Sequence, residues 1–322
     1  MAMSHGDHWQ ALFGDDISER LAKLLPRFVQ QGALVRHVAQ REIFSGPEQK
    51  QWQYISLEYG EQQMRCITVI QIDPEDKLNK VMTAYPFVRE GMPVALEITD
   101  KIQDDKFEAV LRCVTRQGTP LAFFSPLYGS DPTAHEAGSK YEFSLAALAY
   151  SLKKIEETQF TLTEELSHEI ERRCRQEEDP NADIADIQAV DFSIAGLRAL
   201  IFRNGDSADD AADAEFYTSI EGVSYFFFEE SEMCKMDVRF LLREGDELRT
   251  ALYASEHVLS GYRPEVGDLI QGVLWLQGYP AKPIDEDESW ETSSREDTAL
   301  QNFLFSDEYL SGLPVGVAAL AK

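Results

Sequence analysis

The chain has 322 residues, of which 43% are hydrophobic and 11% aromatic. That is enough to bury one large core or two ordinary ones, and it excludes a wholly disordered polymer. Asp and Glu number 57 against 30 Lys and Arg, a net charge of -27, and such a field argues against nucleic acid and anionic membranes while favouring a basic protein partner.

The N-terminal "MAMSHGDHWQ" has no basic region followed by an apolar core, so no secretory signal is expected. Residues 16–31, "DISERLAKLLPRFVQQ", place Glu19 three residues after Asp16, the spacing of a capping box. Ile17, Leu21, Leu24, Leu25 and Phe28 then share one face, which predicts an amphipathic helix bent near Pro26. The period changes to that of strands in "LVRHVAQREIF" (34–44), "WQYISLEYG" (52–60), "QMRCITVIQI" (63–72), "PVALEI" (93–98) and "FEAVLRCVTRQG" (107–118). "SLAALAYSLKKIEE" (144–157) is read as a helix on its alanine content, although its place in the pattern suits a strand. "TLTEELSHEIERRCRQEE" (161–178) reads as a helix stopped by "DPNAD". Strand signals return at 189–203, 215–230, 235–245, 247–256 and 266–280, with an acidic loop, "NGDSADDAADA", at 204–214. After Pro283 an acidic run leads to a tail containing Phe303, Phe305 and Tyr309, expected to dock back on the body.

These signals predict an α+β, predominantly β protein: two β-rich barrel- or sandwich-like domains joined by a helix, with an N-terminal helix and a C-terminal tail. The expected boundaries are a helical segment at 1–33, a first β-rich domain at 34–158 and a helical linker at 159–188. A second β-rich domain at 189–283 and an acidic linker with its tail at 284–322 complete the chain. "VLRCVTRQGTPL" (110–121) and "DVRFLLREGDEL" (237–248) align Arg112 with Arg239, Arg116 with Arg243 and Gly118 with Gly245. Common descent and the shared grammar of hairpins both account for this.

"VGDLIQGVLWLQGYP" (266–280) places Gly267 and Asp268 ahead of Ile270, Gly272, Val273 and Leu274. It resembles the Gly-Asp-x-x-x-Gly-x-Val strand of OB-fold and S1-like barrels, which implies a coiled strand in a small barrel. The fold so implied would offer Trp275 and Tyr279 to stack on bases, but it lacks a basic groove; Trp275 is read as core between Leu274 and Leu276.

Signals for chemistry are sparse. "HEIER" (168–172) has Arg where a zinc-protease helix needs its second His, and "HGDH" (5–8) sits at a terminus where a frayed end is expected. Cys66, Cys113, Cys174 and Cys234 form no Cys-x-x-Cys pair, which fits reduced thiols in a cytoplasmic protein. No nucleophile elbow, phosphate loop or dinucleotide fingerprint occurs, so neither cofactor nor metal is expected. The sequence therefore points to a non-enzymatic intracellular binding protein. Its candidate surface is Asp206, Asp209, Asp210, Asp213, Trp275 and Tyr279. An enzyme with a site assembled from scattered residues and an OB-like nucleic-acid binder are the alternatives, and the oligomeric state is left open.

Overall fold

The computed structural model describes residues 6–42, 50–60, 63–72, 79–102, 108–130, 135–162, 190–202, 211–243 and 245–284. The chain is mostly β, with helices at its start. Helix α1 (Gly6–Phe13) occupies the stretch expected to fray, because Trp9, Leu12 and Phe13 recur at helical spacing and bury one face. The Trp9 indole N–H donates to the Ala84 carbonyl at 2.8 Å. A 3-10 turn (Gly14–Asp16) leads into α2 (Ile17–Gln31), which buries Leu24 and Phe28 and carries Pro26 inside it. The expected capping box is not formed: Asp16 makes no side-chain cap bond, and Glu19 pairs instead with Lys23 at 2.6 Å.

Both helices border an antiparallel meander of β1 (Ala33–Glu42), β2 (Lys50–Tyr59), β3 (Met64–Ile72) and β4 (Asn79–Val88). Strand β4 was absent from the sequence pattern because it contains Pro86. A proline is tolerated there since β4 is an edge strand, hydrogen-bonded to β3 alone in the sheet.

The remaining strands are β5 (Met92–Ile102), β6 (Ala109–Thr115), β7 (Pro120–Ser125), β8 (Lys140–Lys154), β9 (Gln159–Leu162), β10 (Val190–Ser193), β11 (Ala199–Phe202), β12 (Asp213–Phe228), β13 (Ser231–Arg243), β14 (Asp246–Ser255) and β15 (Leu269–Pro283). Residues 144–157, read as a helix, thus form most of a strand. Leu145 to Ala149 are all buried between neighbours on both sides, and that tertiary environment overrides the helical preference of alanine. Thr161 and Leu162, placed at the start of the expected linker helix, end β9, which pairs with β10; the rest of that helix lies outside the described residues, as does the tail.

Strand pairing closes two five-membered rings. One runs β5–β6–β7–β15–β8 and back to β5; the other runs β12–β13–β14–β8–β15 and back to β12. Each ring has one parallel pair, β7 with β15 and β14 with β8, and the rest are antiparallel. Strands β8 and β15 therefore belong to both rings. Their register is two-fold symmetric about the pair Ala146–Gln277, and the unpaired bulge residues, Tyr150 and Ala281, each lie four positions past that centre. The repeated sequences occupy equivalent places: 110–121 covers most of β6 and the start of β7, while 237–248 covers the second half of β13 and the start of β14. Gly118 and Gly245 turn them with φ of 79° and 80°, a conformation costly for other residues.

The strands of the two halves are consequently interlocked, and one apolar cluster runs from Leu96 and Phe123 in one ring to Phe240 and Leu252 in the other. At the seam the Thr115 hydroxyl donates to Asp246 Oδ2 at 2.6 Å, both residues being buried. A second cluster, containing Trp9, Phe28, Phe87 and Trp275, ties the helices and meander to the rings.

Candidate docking cleft

Residues β12 and β13 form a long hairpin that ends in a two-residue turn. Phe228 pairs with Ser231, leaving Glu229 and Glu230 with φ of 47° and 71°. A turn with both central residues left-handed is the twist-matched solution for a hairpin, normally made with Asn-Gly. Two glutamates there cost about 1–2 kcal/mol each.

Helix α2 supplies what opposes that cost. Arg27 Nη1 donates to Glu229 Oε2 at 2.8 Å, and Nη2 donates to the Tyr59 hydroxyl at 2.7 Å. The Tyr59 hydroxyl in turn donates to Glu229 Oε1 at 2.8 Å. Burial raises the Tyr59 phenol pKa, and the adjacent Glu229 carboxylate adds to the rise. Two turns of helix earlier, Arg20 Nη1 reaches Ser231 Oγ at 2.8 Å, while Phe13 at the end of α1 stacks on Phe228. The tip is clamped on both sides.

Clamping this tip against the meander leaves a cleft of about 720 Å³. The start of β1, the end of β2, the start of β3, Arg89 and Leu127 line it together with Phe227 to Glu229. Strand alternation buries Phe228 and turns Phe227 outward, where it is 65% exposed; Leu34 is 62% exposed on the opposite lip. Isolated exposed apolar residues need no explanation, but these two large ones border the same cavity.

Between the lips lies a charged group. Glu58 accepts from Arg65 at 2.6 Å and faces Arg89 at 3.8 Å. The Arg89 guanidinium lies 4.9 Å from the Tyr279 ring centre, and the Tyr279 hydroxyl donates to the Arg89 carbonyl at 2.8 Å.

Of the sequence-derived surface, Asp213, Trp275 and Tyr279 fall among the described residues. Asp206, Asp209 and Asp210 lie outside the described residues. Asp213 is buried at the start of β12, in register with Trp275. Trp275 is only 2% exposed, with His8 stacked on it at 3.6 Å and Phe124 at 4.8 Å, so it presents no face to a ligand. Tyr279 is half-buried under Arg89 and borders the cleft indirectly. In the sequence, "YFFFEE" (225–230) marks an aromatic run suited to an interface, with Phe226 and Phe228 expected in a buried strand; Phe228 is buried and Phe227 exposed, while the other cleft residues carry no local signal.

Asp268, the acid of the 266–280 stretch, organises a turn. It accepts from Tyr262 at 2.6 Å and from the Glu265 amide at 3.1 Å, and it pairs with Lys154 at 2.6 Å. Burial opposes its ionisation, but these partners together hold the carboxyl below its ordinary range. Gly272 follows from the same stretch: a Cβ there would collide with the Ser151 carbonyl, so a glycine is required where β8 approaches.

The other reactive groups are enclosed. Ser125 Oγ lies 3.0 Å from His135 Nε2, both buried, with Tyr128 packed edge-on against the imidazole. This is a hydrogen bond between two buried side chains. Burial pushes the Cys66 thiol up to about 12 and the Cys234 thiol up to about 11, which suppresses thiolate chemistry at neutral pH. His8, from the terminal "HGDH", is buried and bonded to the Tyr150 hydroxyl at 2.6 Å. His168 lies outside the described residues, and among the described residues no three His, Cys, Asp or Glu side chains converge as a metal would require. No helix among the described residues is long and apolar enough to cross a membrane.

No family model matches the chain, and no curated protein is significantly similar to it.

Proposed function

We propose that the chain is a non-enzymatic binding protein that docks another protein at the cleft between the β12–β13 tip and the meander. The observation that carries this reading is the exposure of Phe227 and Leu34 on opposite lips of one cavity whose hairpin tip is clamped in place. Such a site gives a partner an apolar anchor point at little ordering cost, because the tip is already held in its bound-like position.

Long-range charge selects the partner. At -27 the chain draws a basic protein toward it and repels an acidic one, with a strength that falls as salt rises. We read the rings as OB-like barrels, because each closes five strands with a single parallel pair and contains β15, the strand that follows Gly267 and Asp268. The nucleic-acid role of such barrels finds little support, since Trp275 is enclosed and Tyr279 already carries Arg89 on its ring.

The test is capture from native lysate with the full chain and with its Phe227→Ser variant as parallel baits, at low and high salt. A basic protein retained by the first bait, lost to the second and released as salt rises is the expected result. Equal capture by both baits overturns the assignment of the cleft.

A further inference from the structure

The cleft lacks the net acidity of the chain, because its lining sets Arg65 and Arg89 against Glu58 and Glu229. Side chains of Arg27, Arg65 and Arg89 are 49%, 28% and 40% exposed, whereas the carboxylates that pair with them, Glu229 and Glu58, are 12% exposed. The guanidiniums are the more exposed members of these pairs, so a ligand entering this acidic protein meets cationic forks beside apolar side chains.

Arg89 is the most available of the three to a ligand. Its contact with Glu58 is 3.8 Å, beyond hydrogen-bond distance, while stacking over Tyr279 at 4.9 Å and Phe87 at 5.8 Å fixes its plane. A planar guanidinium held in place but only loosely paired is suited to a second carboxylate.

Resting on the docking reading above, we propose that the partner segment seated in the cleft carries a carboxylate side chain within a residue or two of a large apolar side chain. The apolar group packs between Leu34 and Phe227, and the carboxylate accepts from Arg89 and competes with Glu58 for Arg65. The field of the whole chain brings a basic protein to the surface; the cleft then selects which of its segments docks. Two charge scales, long-range attraction to the whole chain and short-range pairing with the exposed guanidiniums, thus act in sequence.

The probe is a random peptide display library panned on the full chain, followed by Kd measurements on the enriched peptides by fluorescence polarisation. Enrichment of Asp or Glu next to Phe, Leu, Trp or Met is expected. Arg89→Gln weakens those peptides at least about tenfold, the loss of a charge-assisted hydrogen bond, while Glu58→Gln, which removes the internal competitor, tightens them. Far-ultraviolet circular dichroism reports that each variant is folded, and Glu58→Gln keeps the test decisive if Arg89→Gln unfolds. Peptides that depend on Phe227 but lack an acid and ignore both charge variants overturn carboxylate selection and leave the docking cleft standing. Absence of any peptide sensitive to Phe227→Ser overturns the docking reading, and this inference with it.

Discussion

The two rings share a register and differ in one arm. In the first, the β5–β6 ladder ends, among the described residues, at Ile102 opposite Val110; the equivalent pair in the second is Gly222 opposite Asp237. From there β12 and β13 run on through six further pairs, Val223–Met236 to Phe228–Ser231. The shared frame buries its residues in a common core, as Leu145 and Leu276 do at equivalent positions beside the symmetry centre. The added arm instead exposes Phe227 and holds two left-handed glutamates. Equivalent positions therefore report on stability, and the departure from equivalence coincides with the cleft on which the proposed docking rests. Strain and exposed apolar surface are unfavourable for folding, and they persist where another requirement outweighs it.

The comparison can be broken at the frame. Gly272 lies five residues before Gln277, and its counterpart before Ala146 is Tyr141, so one copy tolerates a large side chain where the other tolerates none. Gly272→Ala is expected to destabilise the chain by about 3 kcal/mol, because the obstruction is the Ser151 backbone and cannot rotate away. Urea unfolding of the full chain measures this, and a change under about 1 kcal/mol would show that the shared strands separate more easily than their packing indicates.

A smaller effect is expected at the turn before β15. Asp268→Asn removes the charge that binds Lys154 and Tyr262, at a cost of about 2 kcal/mol at neutral pH. The folded-state carboxyl is depressed, so its contribution is complete above the unfolded carboxylate pKa and is lost as pH falls through the lower folded value. The wild-type and variant unfolding curves should converge in that acidic window and diverge above it; a constant gap would assign the loss to packing.

The smallest change sharpens the contrast at the arm. Glu230→Gly relieves the φ of 71° and is expected to stabilise the chain by about 1 kcal/mol. Phe227→Ser should alter stability by under about 0.5 kcal/mol, since the ring is already in water, while abolishing partner binding. Thermal melts of both variants beside the binding assay separate stability from recognition.

Much of this frame was legible. Alternation and turn residues located β1 to β3, β5, β6 and β12 to β15, because each is a local pattern bounded by breakers. Leu274 and Leu276 correctly marked β15 as a strand covered on both faces, with Trp275 enclosed. Strand β8 was missed because its alanines speak for helix when read alone, and only its seat between two rings makes small residues the right choice. Helix α1 was missed because the value of its Trp9, Leu12 and Phe13 depends on a surface far along the chain, including Ala84 and Phe228.

The sequence by itself determined the acidic field, the predominance of β structure and the matching hairpin turns at Gly118 and Gly245. These follow from composition and from contacts a few residues apart. Tertiary structure decided the strand exchange and the cleft. Leu34, Glu58, Arg89 and Phe227 are distant in sequence and meet only when the hairpin arm is clamped to α2. Burial then sets which member of each ion pair faces the solvent, a property no local pattern encodes.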